Sequence, residues 1–153
     1  MKTNLRTSEK GVALIKSFEG FSPVPYKDEG GLLTIGYGTL IDTASEEWLK
    51  TAVIDEKVGE ILLRTDLKPT ENIVNKAVKV EINQNQFDAL ICFAYNCGGG
   101  ALMQSTLLKK VNANPMDEAI KLEFMKWVKV GKRTVEGLRR RREAEAMLYF
   151  QEV

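Results

Sequence analysis

The chain has 153 residues, of which 44% are hydrophobic and 28% charged, with a net charge of +1 and no histidine. That length and balance suit one soluble globular domain with a sizeable core and exclude a disordered chain. No run approaches the roughly 18 apolar residues of a membrane span, and the basic stretch Met1–Thr7 lacks the apolar segment of a secretory signal, so a cytoplasmic product without a membrane anchor is expected.

In chain order, the first predicted element is a helix. Val12, Leu14, Ile15 and Phe18 recur at helical spacing, Thr7 or Ser8 can cap its start, and Gly20 suits the left-handed position just past its end. Glu19 is then the last helical residue. The negative end of the helix dipole and the flanking Phe18 and Phe21 both favour its protonated form, as a general acid requires. Pro23 and Pro25 force extended backbone, and Glu29-Gly30-Gly31 reads as a hairpin turn, which places Asp28 at a strand end near water in its ionised form. Leu32 to Gly38 reads as the returning strand, with the Thr34 hydroxyl beside the two carboxylates, where it can hold a water. One acid paired with one base or nucleophile is the arrangement of glycosidic bond hydrolysis.

Beyond the hairpin, Thr43 and Glu46 have capping-box spacing, and Asp55 can cap a helix whose apolar positions run to Ala77. Pro69 falls inside it and should kink or split a connector spanning about residues 55 to 79. Asn83 caps a helix with Phe87, Leu90, Ile91 and Ala94 on one face, ended by Gly98-Gly99-Gly100, and Ser105 opens the next. Asn114-Pro115 reads as the start of a helix carrying Ala119, Ile120, Phe124 and Trp127, with Trp127 in the core. Gly131 and Gly137 bracket a loop before a last helix through Leu138, Leu148 and Phe150. Cys92 and Cys97 sit roughly 140° apart around one helix, poorly placed to bridge, so buried free thiols are preferred over a redox pair or a metal site. The four arginines Arg139–Arg142 are flanked by Glu136, Glu143 and Glu145. A solvated or salt-bridged helix explains them better than contact with nucleic acid.

The spacing Glu19, Asp28, Thr34, set in Y-x-D-x-x-G-x-x-T-I-G-x-G, resembles the signature of the phage-type lysozymes, the endolysin muramidases of tailed phages. Asn85–Leu90, Phe93–Gly98, Ser105–Leu108, Phe124–Trp127 and Gly137–Glu143 are similar in order to the C-terminal lobe of those enzymes, particularly lambdoid-like endolysins. One departure stands out: many members continue G-x-G-H, whereas here Thr39 follows Gly38, which removes any ion pair that histidine makes.

The resemblance implies an α+β, mainly helical two-lobed fold: a first lobe of about residues 1–66 with a helix and a β-hairpin, a connecting helix, and a helical lobe of about 80–153. It implies hydrolysis of the β-1,4 bond between N-acetylmuramic acid and N-acetylglucosamine in bacterial peptidoglycan by a monomer that needs no metal or organic cofactor. Glu19 is the expected proton donor, Asp28 the base or electrostatic partner, and Thr34 a water-positioning group. Tyr26, Leu40, Tyr95, Asn96, Ser105 and Thr106 match or neighbour substrate-contacting positions, and Arg139 or Arg140 is the candidate to pair with and modulate the acid. Release to the wall through a holin-type membrane lesion is implied, without direct contact. Residues 1–66 carry net −3 and residues 67–153 net +4. Surface scatter explains this better than attraction to the anionic wall. The resemblance leans towards inversion at the sugar, although residue spacing does not report the distance between two carboxylates. Two alternatives are a lytic transglycosylase, which needs only the acid, and a non-catalytic wall-binding module.

Overall fold

The structure, a computed structural model, describes residues 2–41 and 47–153. The Thr43/Glu46 capping box lies outside them. The order of elements is α1 (Glu9–Glu19), β1 (Ser22–Lys27), β2 (Leu33–Gly36), β3 (Thr39–Leu40), a 3-10 turn (Glu47–Thr51), α2 (Glu56–Ala77), α3 (Gln84–Cys97), α4 (Gly99–Gln104), α5 (Thr106–Ala113), α6 (Ile120–Phe124), β4 (Lys129–Val130), β5 (Arg133–Thr134) and α7 (Glu136–Phe150). The mainly helical α+β class is the one expected. No helix among the described residues is long and apolar enough to cross a membrane. The chain forms two compact units, Ala13–Lys68 and Met1–Val12 with Pro69–Val153.

In the Ala13–Lys68 unit, β1, β2 and β3 form an antiparallel sheet in that order. Ser22 pairs with Gly36 and Tyr26 with Thr34, but the register shifts between those two pairs. Pro23 and Pro25 lie in the gap; neither has an N–H to give to the ladder, so pairing breaks there. The Pro23 carbonyl instead accepts a bond from the Ile54 amide at 2.9 Å. Ile35, Ile41, Leu49 and Ile54 form the core of this unit, covered by Phe21, Leu33, Val58 and Leu62. Thr39, at the position of the family histidine, donates its hydroxyl to Asp66 Oδ2 at 2.7 Å. A hydroxyl does not titrate at neutral pH, so the donor of this bond keeps its proton across the neutral range.

Gly59 of α2 lies against the ring of Phe21. A Cβ there would meet Phe21 Cε1 at 2.8 Å and Tyr37 Cδ2 at 3.3 Å. Those rings pack on each other with centroids 5.1 Å apart, so neither can yield alone. Overpacking of this kind costs about 1–3 kcal/mol, against a gain in helix propensity of about 1 kcal/mol. Gly59→Ala is therefore expected to lower the melting temperature in calorimetry, and a rise would show that the rings move freely.

Lys16 of α1 pairs with Glu60 of α2, and Arg64 Nε reaches the same carboxylate at 3.0 Å. The Lys16 and then the Arg64 hydrogen bonds hold Glu60 below its ordinary value of 4.5. A carboxyl lowered on folding contributes stability above that value and loses it as the pH falls through the lowered one. The side chains are about one-third exposed, so solvent screening keeps the contribution under about 1 kcal/mol. In paired urea melts, the deficit of Glu60→Gln should be present at neutral pH and shrink as the pH falls below 4.5.

In the other unit, α3 is central: Asn85 to Ala94 are all buried, not just the apolar face that spacing reveals. Its polar members are satisfied. Asn83 and Gln86 complete a capping box, and Asp88 accepts from the Ser8 and Gln84 side chains and, at 3.0 Å, from the Ser8 amide. Phe93 meets Phe124 and Trp127 edge-on, and Phe124 meets Tyr149.

Four local readings are corrected here. Pro69 does not split α2, because an exposed proline removes one bond from a helix of 22 residues and the remainder hold it. Gly99-Gly100 does not lie in a terminating loop; only Gly98 ends α3, and the next two glycines begin α4. Asn114-Pro115 does not start a helix. Asn114 Oδ1 accepts from the Met116 amide at 3.0 Å in a local turn, and the Pro115 carbonyl is taken by the Tyr149 hydroxyl at 2.7 Å, so α6 begins at Ile120 and lasts five residues. Gly137 belongs to α7, and Gly131 turns a small hairpin whose strands are β4 and β5.

Candidate functional site

Glu19 is the last residue of α1, as its spacing predicts. Gly20, at φ 71°, ends the helix with its amide still bonded to the Lys16 carbonyl at 3.0 Å. Glu19 is half-buried and faces Gly38, where a Cβ would lie 3.5 Å from Glu19 Oε2. Gly38 has φ 90°, and this backbone angle calls for glycine, whereas the 3.5 Å approach is an ordinary van der Waals contact. Glu19, Gly20, Phe21, Ser22 and Tyr26 line an open pocket of about 240 Å³.

Asp28 follows β1 directly. Its amide donates to the Leu32 carbonyl at 2.8 Å, and its Oδ1 accepts from the Leu32 amide at 2.8 Å. Gly31 donates to the Asp28 carbonyl at 2.9 Å with φ 80°, so the turn closes on the aspartate from both sides. Thr34 is buried, and its hydroxyl donates to that same Leu32 carbonyl at 3.0 Å. Leu32 is thus the shared backbone anchor of both side chains, a link that residue spacing does not reveal. The Thr34 oxygen keeps lone pairs that can accept from a water.

The other expected site residues fall in varied settings. Tyr26 and Leu40 are exposed, and each is a cross-strand partner of Thr34. Tyr95 is half-buried near the end of α3, and Asn96 is exposed there. Ser105 is buried as the N-cap of α5, donating to the Leu102 carbonyl at 2.6 Å and accepting from the Leu108 amide at 3.0 Å, so backbone groups occupy its hydroxyl. Thr106 is exposed on the first turn of α5. Arg139 pairs with Glu136 and Glu143 along α7, and Arg140 is exposed.

The salt-bridged part of the arginine reading holds, since Arg139, Arg141 and Arg142 pair with Glu136, Glu143 and Glu145 at helical spacing, but the four are not all solvated. Arg141 and Arg142 are buried, with Arg142 wholly so. Arg142 Nε lies 2.8 Å from Glu145 Oε1, Nη2 donates to Asn96 Oδ1 at 2.6 Å, Nη1 reaches Cys97 Sγ, and the guanidinium lies 5.0 Å from the Phe93 ring centroid. A signal was present: Leu138, Arg142, Glu145 and Tyr149 share one helix face, which puts two charges on a core stripe. Both cysteines are free, as expected, although Cys97 is only half-buried. Burial pushes both thiols up from the ordinary value, well up for Cys92, so neither is a ready thiolate.

Residues 16–145 match the family model described as phage lysozyme. The endolysin of Bacillus phage B103 is 42% identical over 148 residues, covering 95% of this chain and 54% of that protein. The endolysin of Acyrthosiphon pisum secondary endosymbiont phage 1 is 38% identical over 149 residues, covering 95% of this chain and 98% of that protein. The chain therefore spans about half the length of the first relative and nearly all of the second. Among solved structures, the endolysin from Escherichia coli O157:H7 phage FAHEc1 matches with a TM-score of 0.85 at 34% identity, covering 100% of this chain and 98% of that chain.

Proposed function

The chain belongs to the phage lysozyme family, and from that premise we propose that it is an endolysin with muramidase activity, cleaving the β-1,4 bond between N-acetylmuramic acid and N-acetylglucosamine in peptidoglycan. The reading is supported by the presence of two differently held carboxylates in the same compact unit. Glu19 stands at a helix end over Gly38, and Asp28 is locked into the hairpin turn by the Leu32 peptide.

Glu19 gives its proton to the leaving oxygen as the bond to the anomeric carbon breaks. Asp28 takes a proton from the attacking water, and Thr34 accepts a hydrogen bond from that water. Charge develops on the sugar as an oxocarbenium-like transition state, which the Asp28 carboxylate stabilises. Water attacking from the face opposite the leaving group inverts the anomeric centre, and NMR of the first-formed product reads that outcome. Arg139 or Arg140 modulates the acid. The protein acts as a monomer on the wall after a holin-type lesion releases it.

The test is mass spectrometry of the soluble fragments released from purified peptidoglycan. Reducing muropeptides that have gained one water are expected. Anhydro ends would overturn hydrolysis in favour of a transglycosylase, and no release would leave a wall-binding module.

A further inference from the structure

The surroundings of Glu19 are built on one face of α2. Gly36 and Gly38, at φ 67° and 90°, bracket Tyr37 in the turn between β2 and β3, and two glycines leave such a turn little stiffness of its own. The place that a Cβ would take on Gly38 lies 3.5 Å from Glu19 Oε2 and 3.9 Å from its carboxyl carbon, so the backbone of this turn borders the acid. Two residues tie the turn down. Tyr37 is buried, its ring centroid 5.1 Å from that of Phe21, and both rings lie against Gly59. Thr39 is buried as well, and its hydroxyl donates to Asp66 Oδ2 at 2.7 Å, the short length of a hydroxyl-to-carboxylate bond.

Gly59 and Asp66 stand about two helical turns apart on α2, with the fully buried Leu63 between them, so both ties fall on one face of that helix. Lys16, about one turn before Glu19 on α1, pairs with Glu60 next to Gly59. The acid and the turn that borders it therefore stand on the same stretch of α2, within one compact unit. Ring packing tolerates sliding, whereas a hydrogen bond is directional. The Thr39–Asp66 bond thus fixes where along α2 the turn sits.

We infer that Thr39 and Asp66 are positioning residues for proton transfer: their bond holds the Gly38 backbone beside Glu19 and so keeps the carboxyl group aimed at the leaving oxygen. The inference rests on the reading of Glu19 as the acid. It gives the buried Thr39 hydroxyl a task in the chemistry beyond stability, and it predicts loss of turnover without loss of substrate binding.

The experiment compares kcat and KM of the full chain on soluble peptidoglycan fragments, well below the melting temperature of every variant. Thr39→Val keeps the shape and removes the hydroxyl. It should lower kcat about three- to tenfold and change KM by less than about twofold; a 1 Å misplacement costs about 10²-fold, and the Tyr37 packing limits the movement to less. Thr39→Ser returns the hydroxyl and should return kcat. Asp66→Asn weakens the same bond from its other end and should show a smaller loss, again in kcat. The sharpest comparison is Thr39→Val in the Glu19→Gln background. There the residual rate should change by less than about twofold, because a residue that acts through the acid has nothing left to position. The same further loss in that background, a rise in KM in place of the fall in kcat, or no return of kcat in Thr39→Ser would each overturn the inference. A lower melting temperature with native kcat in Thr39→Val, while Glu19→Gln is slow, would make the bond purely structural and sink this inference alone. Full activity in Glu19→Gln would sink the acid itself and this inference with it.

Discussion

Glu19→Gln is expected to slow fragment release by about 10²–10⁴-fold, the usual weight of a general acid, with the melting temperature nearly unchanged. Glutamine has almost the same shape, so its packing over Gly38 survives while the transferable proton is lost. Asp28→Asn should cost a similar factor if water is activated there. The amide oxygen of asparagine can still accept the Leu32 N–H bond that closes the turn, so the substitution removes charge and basicity without opening the hairpin. The two variants together separate mechanisms. A transglycosylase loses activity with Glu19→Gln only, and a binding module keeps its wall affinity with either. Full activity in Glu19→Gln would remove the acid from the mechanism.

Arg142→Met is expected to destabilise the fold by about 3–5 kcal/mol at neutral pH, because it leaves the buried Glu145 carboxylate short of its nearest charge partner. For a chain of this length that is a fall of roughly 6–20 °C in melting temperature. Burial already pushes Glu145 above its ordinary value of 4.5 against the pull of Arg142, the Cys92 hydrogen bond and then Arg141. Removing Arg142 raises it further. A carboxyl raised on folding binds its proton more tightly in the folded state, so the variant should regain stability as the pH falls through the raised value towards 4.5. Replacing both partners, as Arg142→Met with Glu145→Leu, should recover most of the loss, since two apolar side chains need no charge compensation. Thermal melts of the single and double variants between pH 5 and pH 7 measure all of this, and a single variant within 1 kcal/mol of the native protein at pH 7 would show the pair to be dispensable.

The candidate site was largely legible before any coordinates because its parts lie close together in the chain. Glu19 is marked by an amphipathic stripe before it and a glycine after it, and Asp28 by prolines on one side and a glycine turn on the other. What spacing could not supply is the shared hold on Leu32, which depends on how the turn closes, or the approach of Gly38 to Glu19, which depends on how β2 and β3 return. The Asn83 cap was readable for the same local reason, since it lies next to the helix it starts, and the structure adds the reciprocal bond from Gln86.

The failures come where partners are distant in sequence. Asn114-Pro115 carries a sound local start signal, but Tyr149 takes the Pro115 carbonyl from 34 residues away and a turn forms instead. Four consecutive arginines look alike, yet two of them are buried against α3, Arg141 at the Cys92 carbonyl and Arg142 at Phe93, Asn96 and Cys97. The sequence by itself therefore determined the family signature, the end of α1, the start of α3 and the local settings of the two candidate carboxylates, because each rests on residues within a few positions of one another. Only the tertiary structure decided which charges are buried, which hydroxyls serve backbone and which way Asn96 turns, because burial and hydrogen-bond pairing belong to neighbours that the chain brings together only by folding.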